Sequence, residues 1–373
     1  MHIEQFKEHF HAVTDKRQSA KVTYCLFDVL FGSLCAVIAG AKGWFDIREY
    51  ILGHHDWFKH NGMFLNDIPA DDTIARIISK IEPEPFHACF INWMSAVHSL
   101  TDGQVVAIDG KTLRGSYNRD DRASTIHMIS AYASSNKLVL GQLKTEEKSN
   151  EITAIPELIK LLDIKGALVT IDAMACQTKI AKTIIAQDAD YLLAVKNNQG
   201  KLRKALEHAF SKQRSAKPDD INLEKGHGRY EVRQSHVLSS DALEGDFSHW
   251  KGLKSVVMIE NMRYQKGKVL EIDYRYYISS KELTAEQAAS AVREHWGIES
   301  MHWVLDVTMA EDACQIYKDH GAENLSCLRH IGLNMLRSEP TKLSIVGKQK
   351  RCMMNPSMLE AVLSAGLSGV VEN

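Results

Sequence analysis

Between residues 104 and 195 the sequence sets out an order of short β-like runs and helix-like stretches, and this order constrains the fold more than any other feature. "VVAIDG", "IHMISAYAS" and "KLVLGQLKT" come first; "EITAIPELIKLLD", "ALVTIDA", "TKIAKTIIAQDA" and "DYLLAVKN" follow as helix, strand, helix and strand. Successive strands leading into βαβ units predict an α/β fold, a mixed sheet with helices on its faces. Two of the apolar runs end in a carboxylate, Asp109 and Asp172. If those runs lie side by side, both carboxylates meet at one sheet edge. There they repel unless one is protonated or a divalent cation joins them. Hard oxygen donors of this kind suit Mg²⁺ or Mn²⁺. Asp109–Gly110 is also a common turn pair able to close a hairpin, so the stretch alone leaves a turn reading open.

The flanks have different textures. Residues 1–100 read as helical: "DDTIARIISKIEP" carries Ile74, Ile77, Ile78 and Ile81 at helical spacing, with Asp71 or Asp72 as N-cap and Pro83 as stop. The apolar stretch "CLFDVLFGSLCAVIAGAKGWF" is interrupted by Asp28, Gly and Ser and reads as a buried helix rather than a membrane span. Residues 206–282 read as a β-rich insertion in which "YQKGKV" looks like a hairpin tip. Helical patterning returns in "TAEQAASAVREHWGIESMHWVLDV" and "NLSCLRHIGLNMLRS". The chain thus divides into a helical 1–100, a core of 101–338 containing the insertion, and a basic tail with a short helix over 339–373.

Lys and Arg total 45 against 47 Asp and Glu, a net charge of -2, so any nucleic-acid contact must come from local cations. Seven scattered cysteines with no C-x-x-C pair argue against a disulfide framework or structural zinc and for a reducing compartment. The first residues lack the layout of a signal peptide, so a cytoplasmic protein without membrane contact is expected.

The helical stretch "VREHWGIESMHWVLD" sets Val292, Trp296, Glu299 and Trp303 on one stripe, and His295, Glu299, His302 and Asp306 on an overlapping polar one. Glu299 then lies at the margin of a face anchored by two tryptophans, placed to reach the sheet. The same spacing suits a surface glutamate snorkelling past core tryptophans. Glu299 and His302 also match half of a di-iron Glu-x-x-His motif whose second half is missing. A zinc hydrolase using His295, Glu299 and His302 is a further alternative.

Two strand-end aspartates, a long β-rich interruption and a helical glutamate resemble the DDE transposases of bacterial insertion sequences. "AIDGKTLRGS", "TIDAMACQ", "LLAVKNNQG", "GHGRYEVR", "REHWGIESMHWVLDVTMAED" and "NLSCLRHIGLNMLR" resemble, in order, the blocks of the H-repeat-associated (Rhs-linked) transposase family. "IPADDTIARII" and its surroundings resemble that family's N-terminal associated domain, so the resemblance spans nearly the whole chain.

The resemblance implies a ribonuclease-H-like mixed-sheet catalytic core with a β-rich insertion, preceded by an all-α N-terminal domain. It makes Asp109, Asp172 and Glu299 the catalytic, metal-binding triad for two Mg²⁺ or Mn²⁺ ions, about 3.5–4 Å apart, that cut DNA and join it to a target. The partners it implies are element ends and target DNA, with a homodimer on DNA and no small-molecule cofactor. Lys111 and Arg114, close after Asp109, and Lys196 and Asn197, just after a strand, are then expected to contact phosphates, with simple surface charge as the other reading. His227 and Arg229 in the insertion, and Lys348 and Arg351 in the tail, would also face DNA. His295 and Asp306 stand where related transposases often carry Arg and Lys; His295 is counted with the DNA-contacting positions. A catalytically silent DNA-binding remnant is the alternative.

Overall fold

A computed structural model describes residues 2–367 except 19, 21, 119, 146–150, 212–216, 227–228 and 266–267. The first part is helical: α1 (His2–Phe10), α2 (Leu26–Ile38), α3 (Trp44–Gly53), α4 (His55–His60), α5 (Asp71–Ser79) and α6 (Pro83–Val97). The apolar run of α2 is buried from Val29 to Ile38, and no described helix is long and apolar enough to cross a membrane. Ala70, not an aspartate, is the N-cap of α5. Asp71 and Asp72 fall in its first turn instead, where their charge favours the helix dipole. Pro83 sits at the start of α6, where its missing N–H costs nothing.

The sheet is built from β1 (Val105–Thr112), β2 (His127–Ala133) and β3 (Leu138–Thr145), then β4 (Leu168–Ile171) and β5 (Asp190–Val195). Helices α7 (Glu151–Leu161) and α8 (Thr178–Ala186) lead into β4 and β5 respectively, and α9 (Gly200–Ala209) follows. The β-rich segment supplies β6 (Asp220–Gly226), β7 (Arg229–Ser239), β8 (Ser255–Gln265) and β9 (Lys268–Ser279). It does not stand apart: β9 pairs antiparallel with β5, giving one sheet in the order β3-β2-β1-β4-β5-β9-β8-β7-β6. Only β1–β4 and β4–β5 pair in parallel among the described strands. The helices α10 (Ala285–His295), α11 (Gly297–Trp303), α12 (Gly321–Ser338), α13 (Ile345–Met354) and α14 (Pro356–Leu367) complete the chain.

Alternation along the strands sorts their side chains between two layers. Val106, Ile108, Val169 and Ile171 join the core formed with α7, α8 and α9. Val105 and Leu168 pack with α10, and Ala107 joins a larger core of α1–α6, α11, α12 and α14. The helices on both sheet faces are thus separate hydrophobic layers, and the N-terminal helices share theirs with the C-terminal ones. The tail is helical rather than a free basic stretch. Lys348 on α13 is buried, and its ammonium donates to the Leu336 and Glu339 carbonyls and pairs with the Glu339 carboxylate at 3.0 Å. A lysine so enclosed has no donor left for a DNA phosphate, which corrects its expected role; Arg351 of the same helix remains exposed.

Candidate active site

The strand order reverses between β1 and β4, since the chain runs out through β2 and β3 before returning to β1's other side. Crevices at such switch points, beyond the carboxyl ends of parallel strands, are where open α/β sheets bind ligands. Ile108 and Ile171 are the last parallel partners, and Asp109 and Asp172 are the next residues on each strand. Asp109 shares the face of Val105 and Ala107; Asp172 shares that of Leu168 and Thr170. That face is the one covered by α10 and α11. One cleft is lined by Asp109, Thr170, Asp172, Lys196, His295 and Glu299, among others.

The turn reading of Asp109–Gly110 is overturned. β1 continues to Thr112, with Gly110 paired to Ile129 of β2. A glycine is required there because a Cβ would run into the His127 ring at 2.6 Å and the Glu151 carboxylate carbon at 2.7 Å. Those two side chains are hydrogen-bonded to each other and buried beneath the site. Glu151 is a carboxylate that sequence reasoning did not single out; nothing in its local pattern marks it.

Burial pushes the Asp109 carboxyl up to about 7. The Gly110 N–H opposes that shift, while the charges of Glu299, Glu151 and Asp172 add to it. Among the described residues, the basic group within ion-pair distance of it is His302, whose Nδ1 lies 3.7 Å from Oδ2. Burial and then the Lys111 charge hold that imidazole down at about 3, so the contact is not an ion pair at neutral pH. The His302 Nε2 is buried without a hydrogen-bond partner. Asp172 is more open and meets the Lys196 ammonium at 3.3 Å. The His295 Nδ1 shares a 2.9 Å hydrogen bond with the Thr170 hydroxyl, and burial lowers its pKa. Among the described residues no group of three His, Cys, Asp or Glu side chains is arranged to hold a metal ion as it stands.

The helix carrying Glu299 differs from the expected continuous one. It breaks after His295, restarts at Gly297 and ends in a π-helical turn, Val304–Thr308. The tryptophans do not anchor it: Trp296 is 49% and Trp303 61% exposed. Its buried stripe is Ile298, Met301 and Leu305, which leaves Glu299 exposed at the cleft rim.

Lys111 is not free to meet DNA. Its side chain is 9% exposed, with the ammonium 2.5 Å from both Asp306 and Glu311 and 3.8 Å from Asp312. Burial alone would lower its pKa; Glu311 and Asp306 outweigh that and raise it. Glu311, wholly buried, is pushed up by desolvation but drawn down to about 2 by Lys111, then His330 and Arg329. Asp306 therefore acts inward, as a tie between β1 and the turn after α11.

Arg114 is 80% exposed on its side chain and only 3.4 Å-paired to Asp312. Asn197 opens a short 3₁₀ turn after β5, and its neighbour Asn198 donates to the Ala173 carbonyl just beyond Asp172. His227 lies outside the described residues, and Arg229 is described only as the backbone start of β7.

The DDE_Tnp_1-associated family model matches residues 7–94, and that of the Transposase DDE domain matches residues 100–335. The chain is 46% identical to "H repeat-associated putative transposase YhhI" of Escherichia coli (strain K12), over 99% of this chain and 100% of that one. A protein from the dhlA 3′ region of Xanthobacter autotrophicus is 34% identical over 74% of this chain and 94% of its own. A solved piggyBac transposase synaptic complex with hairpin DNA aligns at TM-score 0.46 and 13% identity, over 98% of this chain and 80% of that one. With the DDE domain model spanning well over half its length and full-length relatives at this identity, the chain belongs to the H-repeat-associated family of DDE transposases.

Proposed function

We propose that the protein cuts DNA at the ends of an insertion-sequence-like element and joins them to a target, using Asp109, Asp172 and Glu299 around divalent cations. The observation that carries this reading is the pair of adjacent parallel strand ends, Asp109 beside Asp172, opening into the cleft that Glu299 also lines. The donor chemistry fits Mg²⁺ or Mn²⁺: hard carboxylate oxygens, one of them on a half-buried group whose charge lacks any permanent cation within ion-pair distance among the described residues. Bound as two ions, the metal supplies positive charge against the attacking and leaving oxygens of a phosphodiester.

The chain's own residues do the rest. Asp109 is fixed by β1 and by the tight packing at Gly110, while Asp172, on leaving the Lys196 ammonium, and Glu299 turn inward from exposed positions. A water oxygen attacks phosphorus in line and the leaving oxygen departs as a 3′-hydroxyl. That hydroxyl then attacks a target phosphodiester and displaces a new 3′ oxygen. Lys196, which lines the cleft, and the exposed Arg114, in the loop after β1, offer cations to the flanking phosphates. The same reading takes the β1–β5 sheet as a ribonuclease-H-like core, divides the chain at about 100 and 338, and assigns two copies to a DNA-bound complex in the cytoplasm. The zinc-hydrolase alternative lacks a converging ligand set, because His295 is tied to Thr170 and His302 faces inward, away from Glu299's exposed position.

Supercoiled plasmid carrying the gene with its native flanks, incubated with protein and Mg²⁺ or Mn²⁺, tests this directly once 3′ ends are mapped. Metal-dependent breaks at discrete flanking positions are expected, absent in Asp109→Asn and Glu299→Gln. Binding with intact plasmid would instead favour the silent remnant or lost element ends.

A further inference from the structure

The outer half of the sheet is two-faced in the wrong sense for a free monomer. In-register partners across β6, β7, β8 and β9 place Leu223, Val232, Met262 and Ile272 in one row on one side. The next row on that side pairs Tyr230 with Tyr264, and the register shift at Arg263/Tyr264 sets Val269 opposite Tyr264. The alternate rows carry charge: Glu224, Glu231, Arg263 and Glu271 in one, with Arg233 and Asp273 in the other. These are tied by ion pairs such as Arg233–Glu224 at 2.8 Å, Arg233–Glu231 at 2.7 Å and Arg263–Glu271 at 3.1 Å.

The charged side faces α10 and stays partly open, its charges half-exposed and paired with one another. Arg293 of α10 reaches it, 2.5 Å from Glu224 and 2.7 Å from the Asn222 side chain. The apolar side is open: Leu223 is 71% exposed, Leu270 59%, Ile221 51%, and Tyr230, Val269 and Ile272 49% each. These six side chains present on the order of 600 Å² of accessible surface, the upper end of the largest apolar patches on monomers (about 300–600 Å²). That is most of the roughly 800 Å² each partner gives to a standard interface, before Val232, Met262 and Tyr264 are added.

We infer that this apolar sheet face is a self-association surface, on which a second copy of the chain packs sheet against sheet about a two-fold axis. The chemistry selects a second copy. A nucleic acid needs cations, and the charges described on these rows are already engaged: Lys225 lies over the Tyr230 ring at 5.5 Å, and Glu260, in the row of Ile221, is buried and accepts from the Tyr274 hydroxyl at 3.1 Å. The face has no charge pattern for a dissimilar protein to read. A predominantly apolar face is complementary to itself, which an isologous two-fold contact requires, and sheets stack this way about 10 Å apart. The surface lies across the sheet from α10, so the dimer forms without DNA and without metal, leaving the carboxylate cleft open. This inference is independent of the catalytic reading.

Sedimentation velocity on the full chain, free of DNA and divalent ions, tests it against Leu223→Asp/Ile272→Asp and the milder Leu223→Thr/Ile272→Thr. The wild type is expected at twice the chain mass in the micromolar range. Both double variants are expected at one chain mass, and Asp109→Asn at the wild-type mass. Far-UV circular dichroism checks the fold, and the threonine pair keeps the comparison if the aspartates unfold the sheet. A monomeric wild type, or a dimer that persists in a folded double variant, overturns the inference.

Discussion

At Gly110 the requirement is space rather than a turn. A methyl group there meets the His127–Glu151 pair at distances real Cβ atoms do not tolerate, on a strand held from both sides. Gly110→Ala is expected to cost about 1–3 kcal/mol by urea unfolding, the range for overpacking. Adding Glu151→Ala is expected to return part of that loss. At Lys111 the burial of charge sets a larger cost: Lys111→Met leaves the wholly buried Glu311 with Arg329, 4.0 Å away, and is expected to destabilise by about 3 kcal/mol, the low end for breaking a buried pair. Arg114→Ala, on an exposed side chain, is expected to change stability by less than ~0.5 kcal/mol. Glu311 also gives stability a pH signature. Its folded pKa is depressed from 4.5 to about 2, so its contribution is present above the ordinary carboxylate range and is lost as pH falls from about 5 towards 2. Unfolding free energies are therefore expected to fall more steeply across that window for the wild type than for Glu311→Gln.

At the scale of elements, what sequence revealed depended on how local the cause was. β1 and β4 were legible because strands buried on both faces read as unbroken apolar runs, and the carboxylate after each run marked the cleft. Their adjacency was an inference from order alone, and the parallel register bears it out. The stripe of Val292, Trp296, Glu299 and Trp303 misled because period 3.6 shows that a face exists without showing which face is inside. Two tryptophans point to solvent while Ile298, Met301 and Leu305 fill the core, and the break after His295 leaves the periodicity intact. Lys111 and Lys348 look like surface cations in sequence because their counter-charges are distant or on another helix. Glu311 lies 200 residues beyond Lys111, and Glu339 caps the end of α12. Those ties belong to tertiary structure. The Lys111–Asp306 contact joins the strand of Asp109 to the turn that follows Glu299's helix. Asp306→Asn is accordingly expected to weaken DNA cleavage while leaving DNA affinity within twofold, read by comparing nicking rates with gel-shift titrations.

For the whole molecule, a net charge of -2 means that the proposed DNA binding requires local cations rather than overall charge. Arg114→Ala and Lys196→Ala are each expected to reduce the slope of log K against log salt by about 1, the loss of one phosphate contact. Lys348→Met is expected to lower thermal stability without altering that slope, because its ammonium is spent inside the helical layer. The sheet then divides its labour along its length. The β1–β4–β5 half carries the carboxylates between two helical layers, and the β6–β9 half carries an apolar face turned away from α10.

The most direct test of the central claim, that Asp109, Asp172 and Glu299 surround the same cation, is affinity cleavage with Fe²⁺ in place of Mg²⁺. With ascorbate and peroxide, radicals made at the bound ion break the nearest backbone, and fragment masses locate the breaks. Cuts are expected together at the end of β1, just after β4 and in α11, suppressed by excess Mg²⁺ and all lost in Asp109→Asn. Breaks confined to one of the three segments, or a full set of cuts surviving Asp109→Asn, would contradict a shared site.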